Sequence, residues 1–347
     1  MTMVRADSFW RLPANRNIGI ETLRGIAVVL MVSGHVVGSS PEFAMQVSDS
    51  SPWRLVFTAL QDVRMPLFTV ISGYVYAARP VDDVHQLSSL SKAKVRRCLV
   101  PLVVVGTLLF WVKYFIPGTN TQSELQDFWR PYVYGVDHLW FLQSIFSIFL
   151  IVGVMSISGL LATKRSWLIV TSVAFVVFIL VPVPESVNIF SLAGTERLLP
   201  FFLLGYGIRE FGFGIVQGRS AALTAGVFLL AYLPRMANIQ GVWDANGQIE
   251  RALAIVVGVC VIVCLFSYRS KLANRTMAWI GTFSFGIYLL HFFAYSGVRI
   301  SLQALNISNH SVIFVLGVGL GVGLPIVFQY VSRNQPRVRM LFLGESR

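Results

Sequence analysis

The chain has 347 residues, of which 55% are apolar and only 13% charged, and its mean hydropathy is +0.68. Too few charged side chains exist to coat a soluble globule of this length, which excludes a soluble enzyme and, despite a net charge of +12, a nucleic-acid module. At about 20 residues per bilayer crossing, the apolar stretches supply roughly ten helices, so the expected fold is an all-α polytopic membrane bundle.

Apolar runs between charged or Pro/Gly-rich breaks predict spans at 18–37, 55–78, 99–116, 139–161, 167–182, 198–211, 221–233, 253–266, 279–298 and 312–331. They are expected to form a single membrane domain over residues 1–347 with no extra soluble domain. Assigning each Lys and Arg outside the spans, or near a span end, to a side puts 19 on the side of both termini and 7 on the other. Acidic residues divide 5 against 9. The positive-inside rule therefore predicts cytoplasmic termini and makes the high pI first a matter of topology. Arg5, Arg11 and Arg16 before the apolar run 25–34 resemble a signal peptide, but no small-x-small cleavage site follows and the run carries polar residues, so the segment is expected to be a retained anchor. The longest loop is expected between Lys113 and Asp137, where it can cover an outward-facing site.

Ionisable groups inside a span are costly and tend to mark a pathway or reaction site. In the first span, Arg24 and His35 are eleven residues apart, about 20° from eclipsed, and Glu21 lies about 60° to the other side of Arg24. All three share a face, with Arg24 and His35 separated by about 16 Å along the axis, so they line a path without touching. A plainer reading pairs Glu21 with Arg24 near the interface and leaves His35 bonded to a backbone carbonyl. In the second span, Asp62 and Arg64 do not face each other. Each needs a partner elsewhere, and for Arg64 either Glu21 or an anionic donor qualifies. Pro66 frees a carbonyl and is expected to kink the helix. His138, in His138-Leu-Trp-Phe-Leu142, and His291, in Tyr288-Leu-Leu-His291, are expected at the depth of His35, with Trp140 a belt residue or a site residue. His85 and His310 fall in loops. Cys98, Cys260 and Cys264 form no disulfide framework, and no paired histidine spacing supports a metal.

The stretch Thr22 to His35, with an Arg, ten residues and then His, resembles the signature of acyltransferase family 3, membrane O-acyltransferases of bacterial surface carbohydrate. Arg64 to Tyr74, Lys94 to Pro101, His138 to Leu142, Phe201 to Gly205 and Phe283 to His291 continue the resemblance in order over nearly the whole chain. One departure is Lys94 where the family often has Arg, which keeps positive charge without a bidentate fork. The resemblance implies transfer of an acyl group, most often acetyl from cytosolic acetyl-CoA, to a hydroxyl of a cell-surface or secreted polysaccharide or its lipid-linked precursor. Acyl-CoA is then a substrate, with no permanently bound cofactor, and the other partners are the carbohydrate acceptor, the lipid bilayer and polysaccharide assembly proteins. In this reading His35 is the central catalytic group, as general base or transient acyl carrier, with Arg24 orienting the donor and Glu21 setting the state of Arg24. Lys94, Arg96 and Arg97, with Arg64, hold the donor's anionic groups, while His138, Trp140 and His291 are further site candidates. The alternative is a transporter or flippase for a lipid-linked saccharide or small anion, in which the same Arg and His residues line the route.

Overall fold

The computed structural model describes residue 12, residues 16–119 and residues 121–345, so Arg5, Arg11 and Asn120 lie outside the described residues. The described chain is all α-helical apart from turns and one isolated bridge between Tyr134 and Ile189. In chain order the helices are α1 (Ile18–Val37), α2 (Pro52–Ala59), α3 (Gln61–Tyr76), α4 (Val84–Lys94), α5 (Val100–Phe115), α6 (Arg130–Val133), α7 (Trp140–Ile157) and α8 (Lys164–Leu180). They continue with α9 (Leu192–Glu210), α10 (Arg219–Ile239), α11 (Gly247–Ser267), α12 (Arg275–Thr282), α13 (Ser284–Ala304), α14 (His310–Val331) and α15 (Pro336–Leu343). A π-turn, Val95–Leu99, joins α4 to α5. Among the described residues, eight helical stretches are long and apolar enough to cross a membrane. Helices α8 and α9 occupy the other two expected stretches. The first is 17 residues long, and the second carries Glu196, Arg197, Arg209 and Glu210 and is buried along much of its length.

Several boundaries differ from the hydropathy reading, among them the split of the second span at Leu60 and the following three. The expected third span is the end of a rod that already begins at Val84, where the Asp83 side chain caps by accepting from the Gln86 N–H at 2.7 Å. Its polar first half gives no apolar signal. Pro101 has no N–H for the carbonyl four residues back, and the π-turn lies at that missing bond. The expected ninth span is broken at Phe283 into α12 and α13, and the Gln329 amide donates to the Phe283 carbonyl at 3.3 Å. Lys113, expected to begin a loop, sits inside α5 and is 5% exposed.

The chain forms two compact units. The first contains residues 16–64, 100–131 and 269–345 of the described chain. Its central element is α1, whose start is fixed by the Asn17 side chain accepting from the Ile20 N–H at 3.1 Å and whose end is fixed by Gly38 at φ 87°. Small residues let α1 lie backbone to backbone on α12: a side chain on Gly25 would strike the Met277 carbonyl, and one on Gly281 the Glu21 carbonyl. Thr22 cements this crossing, donating to the Asn274 carbonyl at 3.1 Å and accepting from the Asn274 N–H at 3.0 Å. On another side, Gly317 and Gly321 of α14 receive Val36 and Val32 of α1. Close packing on both flanks makes α1 a rigid carrier for the side chains it presents.

The second unit contains residues 65–99 and 132–268. Gly73 of α3 abuts the Phe202 carbonyl of α9, and Gly205 of α9 abuts that of Val70, so these two helices also cross at backbone distance. Trp167 fills the notch at Gly207, and its indole N–H donates to the Leu203 carbonyl at 2.8 Å. The outward faces of α8 and α10 expose Ile169, Val173 and Leu180, and Leu223, Leu230 and Leu233. Such faces suit a hydrocarbon solvent rather than water.

Candidate active site

In the first unit, Glu21 and Arg24 stand on the opening turns of α1. Glu21 is 5% exposed and accepts from Arg24 Nη1 through both carboxylate oxygens, at 2.8 and 2.9 Å, and from Arg16 Nη1 at 3.2 Å. The carboxylate thereby holds the Arg24 guanidinium against the helix. Arg64 does not share this pair. Its guanidinium lies against Gly34, where a Cβ would overlap it, and over the Phe57 ring at 4.0 Å from the centroid. Of the two partners considered for Arg64, Glu21 is thus taken by Arg24 and Arg16, while Arg64 stands one residue from His35, about 15 Å along α1 from Arg24. Gly34 is what admits it.

The His35 ring meets that of His291 with centroids 5.0 Å apart and planes inclined by 50°. The two differ in access. His291 is fully enclosed, whereas His35 retains an accessible surface. His291 Nδ1 lies 2.8 Å from the Tyr288 carbonyl and 3.1 Å from that of Ile287. Carbonyl oxygens only accept, so Nδ1 carries the hydrogen and the lone pair of the neutral ring is on Nε2. A histidine tied to backbone carbonyls thus describes His291, and of the two rings His35 is the one that keeps accessible surface. Tyr295, one turn after His291 on α13, packs 6.0 Å from its ring.

The other candidates belong to the second unit. The Lys94 ammonium stands over the Phe149 ring at 3.2 Å from its centroid, so its charge is engaged with an aromatic face. Arg96 and Arg97 lie in the π-turn and are half-buried, with Cys98 buried beside them. π-Turns commonly occur at functional positions because they re-aim side chains out of helical phase. His138 is 2% exposed, and Trp140 begins α7, packing against the positions of Gly135 and Gly194. The structure thus unites His35, His291 and Arg64 in one unit, unites Glu21 with Arg24 about 16 Å away on the same helix, and puts His138, Trp140 and the Lys94–Arg97 cluster in the other unit.

Hydropathy missed three buried cations in the first unit. Arg54, 3% exposed, donates to the carbonyls of Gly38 and Val47 and pairs with Asp49 at 3.5 Å. Lys113 and Arg299 are 5% and 4% exposed. Each stands at the edge of an apolar run, where its type alone reads as interfacial.

Residues 17–330 match the family model described as an acyltransferase domain, a match that takes in every candidate named above. The chain belongs to acyltransferase family 3. It is also similar to the nodulation protein NolL of Sinorhizobium fredii (strain NBRC 101917 / NGR234), with 26% identity over 195 residues. That alignment covers 55% of this chain and 48% of NolL, so the chain spans about half the length of this relative. No solved structure matches the chain. Family 3 chain, helical content and apolar faces together make this a multi-pass membrane protein.

Proposed function

We propose that this family 3 chain is a membrane O-acyltransferase that moves an acyl group, acetyl from cytosolic acetyl-CoA, to a hydroxyl of a cell-surface or secreted polysaccharide or its lipid-linked precursor. The observation that carries the reading is the imidazole pair: an accessible His35 backed by an enclosed His291 whose Nδ1–H is fixed on backbone carbonyls. In this mechanism His35 takes the proton of the acceptor hydroxyl as its oxygen attacks the thioester carbonyl. The new C–O ester bond replaces the C–S bond, and the proton passes to the departing CoA thiolate. His291 fixes the ring of His35 by packing, and Arg64, one residue from His35, supplies positive charge for the oxyanion that develops on the carbonyl. Arg24, held by Glu21, receives anionic parts of the donor arm, and Arg96 and Arg97 receive the CoA phosphates from the cytoplasmic side. Lys94, engaged with Phe149, contributes long-range charge to that cluster. The excess of Lys and Arg on one side supports cytoplasmic termini and a bacterial inner-membrane location.

The test is proton NMR of purified surface and secreted carbohydrate from a knockout host carrying wild type, His35→Ala or empty vector, with accumulation of each protein confirmed. A base-labile ester methyl signal present only with wild type is expected. Identical spectra from all three would reject polysaccharide acetylation, and an active, well-accumulated His35→Ala would reject His35 as the base.

A further inference from the structure

Three buried cations in the first unit are not used by this mechanism; Arg54 is paired with Asp49, which leaves Arg299 and Lys113 to be accounted for. Helix α13 carries His291, Tyr295 and Arg299 at intervals of four, on one buried face, which places Arg299 about 12 Å beyond the imidazole pair. Arg299 donates to the Gly118 carbonyl at 2.7 Å and to Gln303 Oε1 at 3.0 Å, both neutral acceptors. Its Nε is enclosed and has no hydrogen-bond partner, and among the described residues no carboxylate forms an ion pair with it. Lys113 of α5 donates to Thr121 Oγ1 at 3.0 Å and stands 5.7 Å from the centre of the Phe292 ring, next to His291. The short segment holding Gly118 and Thr121 therefore touches both cations, which gathers them at the end of the bundle toward which α1 points at His35. Gln303 Nε2 of α13 also donates to Gln46 Oε1, beyond the end of α1, at 3.3 Å.

Enclosing a guanidinium costs free energy unless its charge and donors are met. A loop needs only a neutral amide to pin its carbonyls, so pinning explains the hydrogen bonds of Arg299 but not its charge. The guanidinium fork matches an oxyanion, and a second cation nearby adds to the attraction.

The geometry points to Arg299 and Lys113 as an oxyanion subsite for the acyl acceptor, so that the acceptor is an acidic saccharide, bearing a carboxylate or a phosphate, seated with a neighbouring hydroxyl toward His35. This rests on the acyltransferase reading and adds to it the chemical class of the acceptor. Binding of the anion replaces the contacts that Arg299 and Lys113 now make to the Gly118 carbonyl and the Thr121 hydroxyl.

The test uses the full chain in nanodiscs and isothermal titration with three probes: a disaccharide containing glucuronate, its neutral glucose counterpart, and glucose 6-phosphate. At least one anionic probe is expected to bind about tenfold or more tightly than the neutral one, and whichever does so names the group as carboxylate or phosphate. Arg299→Gln is expected to abolish the preference, and Arg299→Lys to retain part of it. Equal affinity for all three probes in the wild type, or a preference that survives in a folded Arg299→Gln, would overturn the subsite. Should Arg299→Gln fail to fold, the wild-type comparison and Lys113→Gln decide in the same way. Transfer of acyl groups to neutral saccharides without any anionic preference would sink the subsite and leave the acyltransferase reading standing, whereas no transfer to any saccharide would strike at that reading itself.

Discussion

Replacing Glu21 by Gln probes the ion pairs with Arg24 and Arg16 on the proposed donor route. Gln keeps a single acceptor oxygen and turns an NH2 group toward a guanidinium that can only donate, so one charge-assisted bond is lost and a donor conflict is added. A hydrogen bond to a charged group contributes about 1.5–3 kcal/mol. The side chains of Arg24 and Arg16 are 22% and 42% exposed, so water screens part of the loss. The lower end, about 1.5–2 kcal/mol, is the expected cost, or roughly a 10- to 30-fold shift in the unfolding equilibrium. Denaturant titration of the purified protein in mixed micelles measures it, alongside donor kinetics. Removing Arg24 as well relieves the uncompensated charge, so Glu21→Gln with Arg24→Gln is expected to be no less stable than Glu21→Gln alone, yet to have a raised KM for acyl-CoA. Stability losses that simply add in the double variant would show that the two side chains do not act as a pair.

Other outcomes follow from the same geometry. His291→Asn keeps a donor for the Tyr288 and Ile287 carbonyls but removes the ring that packs on His35; it is expected to accumulate like wild type and lose transfer about 100-fold or more, and full activity would reduce His291 to a backbone pin. Gly34→Val places a side chain where the Arg64 guanidinium lies, so kcat is expected to fall with little change in the KM for acyl-CoA; a donor KM effect alone would return Arg64 to the CoA-binding group. Gly281→Leu forces α12 off α1 and is expected to cost about 1–3 kcal/mol or more and to lower accumulation, as judged by fluorescence-detected size exclusion, whereas Gly226→Leu, on an open face, is expected to be neutral.

Much of the helical framework was legible because a bilayer-spanning helix must be apolar for its whole length, and α1 runs from Ile18 to Val37 as its hydropathy implied. The depth argument also brought His35 and His291 toward one level, and their rings do meet. His138 lies in the other unit, and depth alone says nothing about which helices are neighbours. Hydropathy could not see α4, whose polar residues 84–94 read as a loop, or the break at Phe283, where the sequence stays apolar on both sides. The partner of Arg64 depended on a glycine vacancy at position 34, a tertiary fact with no signal in residue type. Arg54, Lys113 and Arg299 were hidden for a related reason: a cation at the edge of an apolar run has the same signature whether it reaches water or is folded inward.

The inward-folded Arg54 has a practical bearing on how this membrane topology can be mapped. Its guanidinium ties the carbonyls of Gly38 and Val47 together across a connection in which Ala44 and Gln46 already hold positive φ, so residues 38–51 form a bound hairpin of loop rather than slack chain. A reporter, epitope or cysteine label inserted there would prise Arg54 from its acceptors and report on a damaged protein. The turns at Gly212 and Gly241 have open space around them, and they are the sites at which a handle can be added while the bundle stays as it is.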